Sequence, residues 1–532
     1  MSANDNISSL DISSGVPMVD IPRDYNNAVD FIQRNIQAGR GDKIAVIDDD
    51  GSYSYADVAE RINRTGNALK ALGIEAEQRV LMCMLDSVDF IATFFGAMKI
   101  GAVAIPVNTL LTADDYDYMM GDSRAKALVV STALWDKFEG KVGNQEKLGQ
   151  IIQSGPGAGD DDGTYNLSDL QQSSELDLIA ANTTADDAAF WLYSSGSTGR
   201  PKGVVHLHSH MAQTAALYGE GVLGVREDDI VFSAAKLFFA YGLGNGLTFP
   251  FYIGATAVLM AERPTPEAVM QRLHDHQATI FYGVPTLYGA ILADDSIQKE
   301  SGSEMLRACV SAGEALPVDI ARRFAERFGV EILDGIGSTE MLHIFLSNQP
   351  GDIKYGTTGK AVPGYDLRVV DEDGNDLPAG EMGELLVNGP SAGAYYWNNR
   401  EKSLNTFQGP WTRTGDKYIQ DDDGYYAYAG RSDDMLKVSG IWVSPFEVES
   451  ALMEHGDVLE AAVVGQEDND KLIKPKAYIV LNEGVSSGDG LVDDLKQFVK
   501  DRLAPYKYPR WIEFSNELPK TATGKIQRFK LR

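Results

Sequence analysis

Ala188-Ala-Phe-Trp-Leu-Tyr193-Ser-Ser-Gly-Ser-Thr-Gly199-Arg-Pro-Lys202-Gly-Val-Val-His206 is the stretch from which the rest of the chain can be read. Residues 188–193 form an apolar run, the mark of a buried strand. The run ends in Ser194, Ser195, Gly196, Ser197, Thr198 and Gly199, which together carry little side-chain bulk. Hydroxyls and freely turning glycines let backbone N–H groups wrap an anion. Arg200 and Lys202 add positive charge beside them. The chemistry is that of a phosphate-gripping loop. It is not a Walker A loop, because the G-x-x-x-x-G-K-[ST] spacing is absent, nor the G-x-S-x-G turn of a hydrolase. A flexible Ser/Gly linker would need neither the preceding strand nor Pro201-Lys202-Gly203. Residues 209–218 read as a helix, with Met211 near its start, whose positive end could face the anion.

Working outward, residues 1–22 read as an irregular arm, 26–38 as a helix, 43–47 as a strand and 55–72 as an amphipathic helix. Strands follow at 79–85, 102–106 and 127–131, with a helix at 87–100. Residues 136–187 show no clear pattern, and 155–163 read as an exposed loop. Further strands are expected at 229–233, 256–260, 278–282, 306–311 and 330–333, with a helix at 266–276. This alternation predicts a largely parallel sheet covered by helices. Beyond Gly364 the segments shorten to 366–370, 383–388 and 425–429, and 430–434 reads as a polar break. After it come helices at 445–454 and 490–503 and strands at 461–464 and 476–481. The expected class is α/β: a large N-terminal domain of layered sheets and helices, residues 1–432, and a small C-terminal α/β domain, residues 433–532.

A length of 532 residues allows more than one core. The net charge of −30 argues against a nucleic-acid partner, since phosphate repels such a surface. It fits a saline habitat as well as an ordinary acidic enzyme. Cys83 and Cys309 lie in apolar surroundings, so buried thiols are expected rather than a disulfide or a metal site. The first residues show no basic and apolar leader, and no apolar run reaches the ~20 residues that span a bilayer. The expectation is a cytoplasmic protein with no membrane partner.

Four more islands carry chemistry. Ser311-Ala-Gly-Glu-Ala-Leu-Pro317 and Asp334-Gly-Ile-Gly-Ser-Thr-Glu340 each follow an expected strand. Small residues there let a flat ring approach the carboxyl edge of a parallel sheet, as a nucleotide base requires. Glu340 is a hard oxygen ligand of the kind Mg²⁺ takes. In Trp411-Thr-Arg-Thr-Gly-Asp416, Asp416 can accept from ribose hydroxyls. Leu518-Pro-Lys-Thr-Ala-Thr-Gly-Lys525 frames a lysine that could deliver a point charge. Singly, each is as well explained by a tight turn, a solvated aspartate or a basic tail.

Together and in this order, the islands resemble the acyl-adenylate-forming superfamily of acyl-CoA synthetases, luciferases and peptide-synthetase adenylation domains, over residues 25–530. Within it, Lys236-Leu-Phe-Phe-Ala-Tyr-Gly-Leu-Gly-Asn245, residues 311–317 and Gly335-Ile-Gly-Ser-Thr-Glu-Met-Leu-His343 are most similar to its benzoate–CoA ligase branch. The resemblance implies an AMP-forming acid–thiol ligase that uses ATP, Mg²⁺ and coenzyme A. Residues 194–202, Lys202 included, would hold the β- and γ-phosphates. Gly313, Glu314 and Ala315 would flank the adenine, with Asp334 near its amino group and Gly335 and Ile336 alongside. Many relatives carry an aromatic residue where Ile336 stands, so stacking there would be reduced. Thr339 would touch the α-phosphate and Glu340 the Mg²⁺, while Asp416 and Arg431 would hold the ribose. Asp433 would be the hinge of a mobile small domain. Lys525 would serve adenylation, and Lys437 and Gly440 would belong to the face used with CoA.

Amino-acid-activating relatives place an acidic residue where this chain has Ala240, and a buried ammonium without a partner is costly. Phe239, Ala240, Tyr241, Ala312, Gly335, Ile336 and His343 would line a flat, mostly apolar slot suited to a small aromatic carboxylate such as benzoate. His343 reads equally as a hydrogen-bonded structural residue. Residues 500–532 carry nine Lys/Arg against three Asp/Glu, and Lys471, Lys474 and Lys476 lie nearby. That face suits CoA phosphates or simple solvation. Hydroxybenzoates or other aryl acids, and loading of a carrier protein in place of CoA, remain alternative readings, as does a non-catalytic nucleotide binder. A homodimer fits the superfamily.

Overall fold

Apolar runs of four to seven residues, flanked by turns, build two large sheets. In the computed structural model, residues 6–13, 15–159, 163–194, 200–432, 434–438, 441–468, 472–520 and 526–532 are described. The first sheet runs in the order Tyr395–Tyr396, Lys202–Leu207, Ala188–Ser194, Val103–Pro106, Arg79–Cys83, Ala127–Ser131, Gln150–Ser154, Tyr165–Asn166. The second runs Lys360–Ala361, Ile344–Ser347, Ile332–Gly337, Ala308–Ser311, Ile280–Gly283, Ile230–Ser233, Thr256–Val258, Ile44–Ile47, Ser52–Ser54. Both have parallel centres; the first is antiparallel at one margin only, where Tyr395–Tyr396, Lys202–Leu207 and Ala188–Ser194 pair, and the second at both margins. Central strands such as Ala127–Ser131 and Ile280–Gly283 are buried throughout, as parallel strands covered on both faces must be.

The two sheets share one core, into which Asn27–Gln37, Tyr55–Ala71 and Val88–Lys99 pack through Phe31, Val58, Ile62, Phe90 and Phe94. Tyr55–Ala71 starts where it does because Ser54 and Asp57 cap each other. The Ser54 hydroxyl accepts from Asp57 N at 3.1 Å, and the Asp57 carboxylate accepts from Ser54 N at 2.9 Å. A third, antiparallel sheet carries Asp366–Val370, Met382–Asn388, Trp411–Gln420 and Tyr426–Arg431. The small C-terminal domain is built on Val458–Glu467, Ile473–Leu481 and Trp511–Phe514. It has its own core of Val448, Leu452, Val463, Ile479, Leu495 and Val499. Cys83 and Cys309 are free and buried.

Four sequence expectations need correction. The arm at 1–22 contains a hairpin, Ser9–Asp11 with Met18–Asp20. Residues 136–187, which lacked a pattern, hold Gln150–Ser154, Tyr165–Asn166 and the helix Leu167–Ser173. Arg431 is no break but the last residue of Tyr426–Arg431, held by its ladder to Trp411–Gln420. The phosphate loop does not lead into a helix. Lys202–Leu207 turns back antiparallel to Ala188–Ser194, with Ser194 opposite Lys202. The helix His210–Thr214 therefore begins about 20 Å along the chain from the loop, at ~3.3 Å per strand residue, too far for its end to act on the anion.

Asp30 anchors the arm. Its carboxylate accepts from Ser8 N, from the Ser8 and Tyr25 hydroxyls at 2.5 and 2.6 Å, and from Arg34 at 2.7 and 2.9 Å. Replacing Asp30 with Ala strands a largely buried Arg34, so stability should fall by roughly 3 kcal/mol, read as a lower midpoint in chemical denaturation.

Candidate functional site

Three polypeptide segments leave the carboxyl edge of the second sheet, two from neighbouring strands and the third from one strand further on, beyond Ile280–Gly283. Residues 234–243 follow Ile230–Ser233, residues 312–317 follow Ala308–Ser311, and residues 338–343 follow Ile332–Gly337. An open parallel sheet binds ligands at this edge. The segments are tied to the strand ends. The Tyr241 hydroxyl lies 3.3 Å from Gly283 O and 3.2 Å from Val310 O. Leu237 N donates to Asp86 Oδ1 at 3.1 Å, and the Lys236 ammonium donates to Glu262 O at 2.6 Å and to Met260 O. Phe239, Ala240, Tyr241 and Ile336 are half-buried against the core, while Ala312 and Gly335 are buried.

His343 is enclosed by Phe249, Tyr218 and Tyr241, with ring centroids at 4.5, 5.5 and 5.7 Å. Burial holds its pKa down to about 3, so the ring is neutral. Nε2 donates to Tyr241 O at 3.2 Å and lies 3.1 Å from Asn245 Oδ1, which leaves Nδ1 without a partner among the described residues. The residue therefore clamps the Tyr241 backbone, and only Nδ1 is left to meet a ligand. Asp334 is also buried, which pushes its carboxyl well above the usual range, and its Oδ1 has no partner among the described residues. Gly313 is exposed at φ +94°, a turn that glycine adopts without strain, and Glu314 and Ala315 beside it are half-buried.

The turn bearing Thr339 and Glu340 is gripped from the first sheet. His206 Nε2 donates to Thr339 O at 2.8 Å. Burial lowers the His206 pKa to about 4, so the ring is neutral, and its Nδ1 lies 3.1 Å from His210 Nδ1. Gly393 N donates to Glu340 O at 2.7 Å, and the Tyr396 hydroxyl donates to Glu340 Oε1 at 2.7 Å. Lys202 sits 4.7 Å from the Tyr396 ring centroid. Burial lowers the Lys202 pKa, and the Glu340 charge partly restores it. A Cβ at Gly337 would come within 2.5 Å of His343 O, so the return from strand to turn requires glycine.

Asp416 and Arg431 face each other across the third sheet, with Nη1 donating to Oδ1 at 3.1 Å. The carboxylate is nearly covered and the guanidinium half exposed. Ser194 ends its strand, and Ser195, Gly196, Ser197, Thr198, Gly199, Asp433, Gly440, Lys471 and Lys525 lie outside the described residues. Lys437 lies in Leu436–Val438, paired with Ile441–Val443. The basic C-terminal face is more neutral than its composition implied. Lys476, Arg502, Lys507, Lys520, Arg528 and Arg532 bind Glu513, Glu454, Glu447, Glu460, Glu449 and Asp434, respectively. Sequence reasoning missed His206, Tyr396 and Asp86. Their roles depend on partners 56 to 151 residues distant, and the only local signal was His206 closing the loop stretch.

Comparison with known proteins shows the family. Residues 32–397 match the AMP-binding enzyme model, and residues 447–525 match the AMP-binding enzyme C-terminal domain. The chain belongs to the AMP-binding enzyme family. It is 60% identical over 528 residues to the benzoate–CoA ligase of Thauera aromatica, covering 99% of each chain. It is 50% identical over 511 residues to the 4-hydroxybenzoate–CoA/benzoate–CoA ligase of Rhodopseudomonas palustris, covering 96% of this chain and 94% of that one. A crystal structure of an anthranilate CoA ligase in complex with anthranoyl-AMP superposes with a TM-score of 0.93 at 45% identity, covering 96% and 98%.

Two outcomes follow from the contacts of these segments. His206→Phe removes the donor to Thr339 O, and ATP–diphosphate exchange should fall by roughly 10- to 100-fold, the scale of a 1 Å misplacement. Asp86 is buried, which lifts its pKa to about 6 against the opposing effects of Lys236 and Leu237 N. The folded state thus binds a proton more tightly than the unfolded one, so wild-type stability falls as pH rises from about 4 to about 6. Asp86→Asn removes that charge, and denaturation at pH 7.5 should show a gain of about 3 kcal/mol that vanishes below pH 4.

Proposed function

We propose that this chain is an AMP-forming acid–thiol ligase that converts benzoate, ATP and coenzyme A to benzoyl-CoA, AMP and diphosphate by way of benzoyl-AMP. The observation that carries the reading is the meeting, at one sheet edge, of the acyl segment with Phe239, Ala240 and Tyr241, the adenine segment 312–317 and the Thr339–Glu340 turn. A benzoate carboxylate is a poor acyl electrophile, because its charge repels nucleophiles. Its oxygen attacks the α-phosphorus, diphosphate leaves, and the mixed anhydride carries a good leaving group. The CoA thiol then attacks the carbonyl carbon and AMP departs.

Each residue has a task set by its surroundings. The bare Asp334 Oδ1 suits the amino group of adenine, a donor. Asp416, steadied by Arg431, suits the ribose hydroxyls. Residues 194–199 with Lys202 suit the departing diphosphate. Phe239, Ala240, Tyr241 and Ala312, with His343 behind, suit a planar ring. Mg²⁺ fits Glu340, because the Tyr396 bond takes Oε1 and leaves Oε2 for a hard cation that otherwise binds phosphate oxygens. When bound, it offsets phosphate charge. Residues 1–432 and 433–532 act as body and lid about Asp433. Lys525 offsets charge at the α-phosphate in the first half-reaction, and the face with Lys437 and Gly440 serves the second. Closure excludes water that would hydrolyse the adenylate. The acceptors are small molecules, and the site of action is the cytoplasm.

A ring hydroxyl on the substrate is the second reading. The buried hydroxyls of Tyr282 and Ser311 have no partner among the described residues, and one relative is named for both benzoate and 4-hydroxybenzoate. Purified protein with ATP, Mg²⁺ and CoA should release AMP with benzoate, and less or none when a carrier protein replaces CoA. Absence of diphosphate release with every aryl acid in a panel would refute the assignment. Lys525→Ala should slow adenylation by at least ~100-fold, the order for one charge-stabilising group, while thioester formation from synthetic benzoyl-AMP is largely kept.

A further inference from the structure

Tyr396 lies between two groups that would otherwise neutralise each other. It occupies a two-residue edge strand, opposite Val204, which shares a strand face with Lys202 two residues earlier. Its ring lies under the Lys202 ammonium at 4.7 Å, while its hydroxyl donates to Glu340 Oε1 at 2.7 Å. The side chain is fixed: Tyr396 is 3% exposed, its backbone N donates to Ser403 Oγ at 2.9 Å, and its ring packs at 5.3 Å from Phe407. Lys202 and Glu340 feel each other's charge, yet they form no ion pair among the described residues. A buried tyrosine hydroxyl commonly ends on a backbone carbonyl, as Tyr288 does on Val310 O. Here it ends on the carboxylate of a reactive turn.

We propose that Tyr396 is a positioning residue that keeps Lys202 and Glu340 apart and so sets the affinity of Glu340 for a divalent cation. The ring gives the ammonium a partner that carries no net charge, and the hydroxyl gives the carboxylate one. Both charges stay available to ligands of opposite sign, a phosphate for Lys202 and a cation for Glu340. Without the hydroxyl the carboxylate is free to turn toward Lys202, and a closed pair would blunt both. This rests on reading Glu340 as the cation ligand.

The test is calorimetric titration of ATP at a series of Mg²⁺ concentrations, with no acid or CoA present, alongside diphosphate release with benzoate. Tyr396→Phe keeps the ring and loses the donor. The Mg²⁺ concentration giving half the gain in ATP affinity should rise about tenfold, the usual cost of losing a hydrogen-bond partner behind a metal ligand, and saturating Mg²⁺ should restore the rate. Tyr396→Leu, which also removes the ring, should in addition weaken ATP binding without Mg²⁺. An unchanged Mg²⁺ midpoint in Tyr396→Phe overturns the proposal, as does a rate lost equally at every Mg²⁺ concentration, which marks a merely structural role. If Tyr396→Leu does not fold, Tyr396→Phe decides alone. Failure of the unaltered chain to bind ATP would instead refute the function proposed above.

Discussion

The hydrogen bond from His206 to the Thr339 carbonyl joins the two large sheets beside the turn proposed to carry the chemistry. Thr339 belongs to the turn after Ile332–Gly337, at the carboxyl edge of one sheet, and His206 to the strand Lys202–Leu207 of the other. Because Lys202 starts that same strand, the register that seats His206 also sets the height of Lys202 against the turn. The Tyr396 hydroxyl and Gly393 N reach Glu340 from the neighbouring edge. A neutral, fully buried imidazole suits this duty, since it donates in a fixed direction and brings no charge into the core.

Charge management is the second theme. The chain carries an excess of 30 negative charges, yet its proposed substrates are all anions. Much of the positive charge of the C-terminal domain is spent on nearby carboxylates, including the well-covered pair of Arg528 with Glu449. Electrostatic attraction of substrate by the surface as a whole is therefore no part of the proposed mechanism. That mechanism relies instead on a small number of cations kept from their natural partners and partly desolvated, where each acts more strongly than it would in water. Lys202 is half-buried against an aromatic face, which meets that description.

The segment proposed to hold the acyl group is tied closely to the protein. Phe239, Ala240 and Tyr241 are half-buried against the core, and the Tyr241 hydroxyl is turned back onto strand-end carbonyls. His343, read from the sequence as either a substrate contact or a structural residue, does most of its bonding to the protein. Tyr218 and Asn245 stand beside it, the first at a ring-centroid distance of 5.5 Å and the second with Oδ1 3.1 Å from Nε2. No linear pattern of residue types carries that arrangement.

By itself the sequence determined the α/β class, the central strands of both large sheets, the helices Asn27–Gln37, Tyr55–Ala71 and Val88–Lys99, and the family. Those properties live in short-range signals: apolar periodicity, and islands of glycine and hydroxyl residues whose spacing is set by local backbone demands. Only the tertiary structure decided that the loop stretch closes an antiparallel hairpin and does not open a helix. It also decided that Arg431 ends a strand, and that His206 and Tyr396 serve the Thr339–Glu340 turn. The reason is physical. A hydrogen bond between residues 133 positions apart depends on which strands become neighbours and in what register, and that is settled by the burial of the whole core rather than by the residues that share the bond.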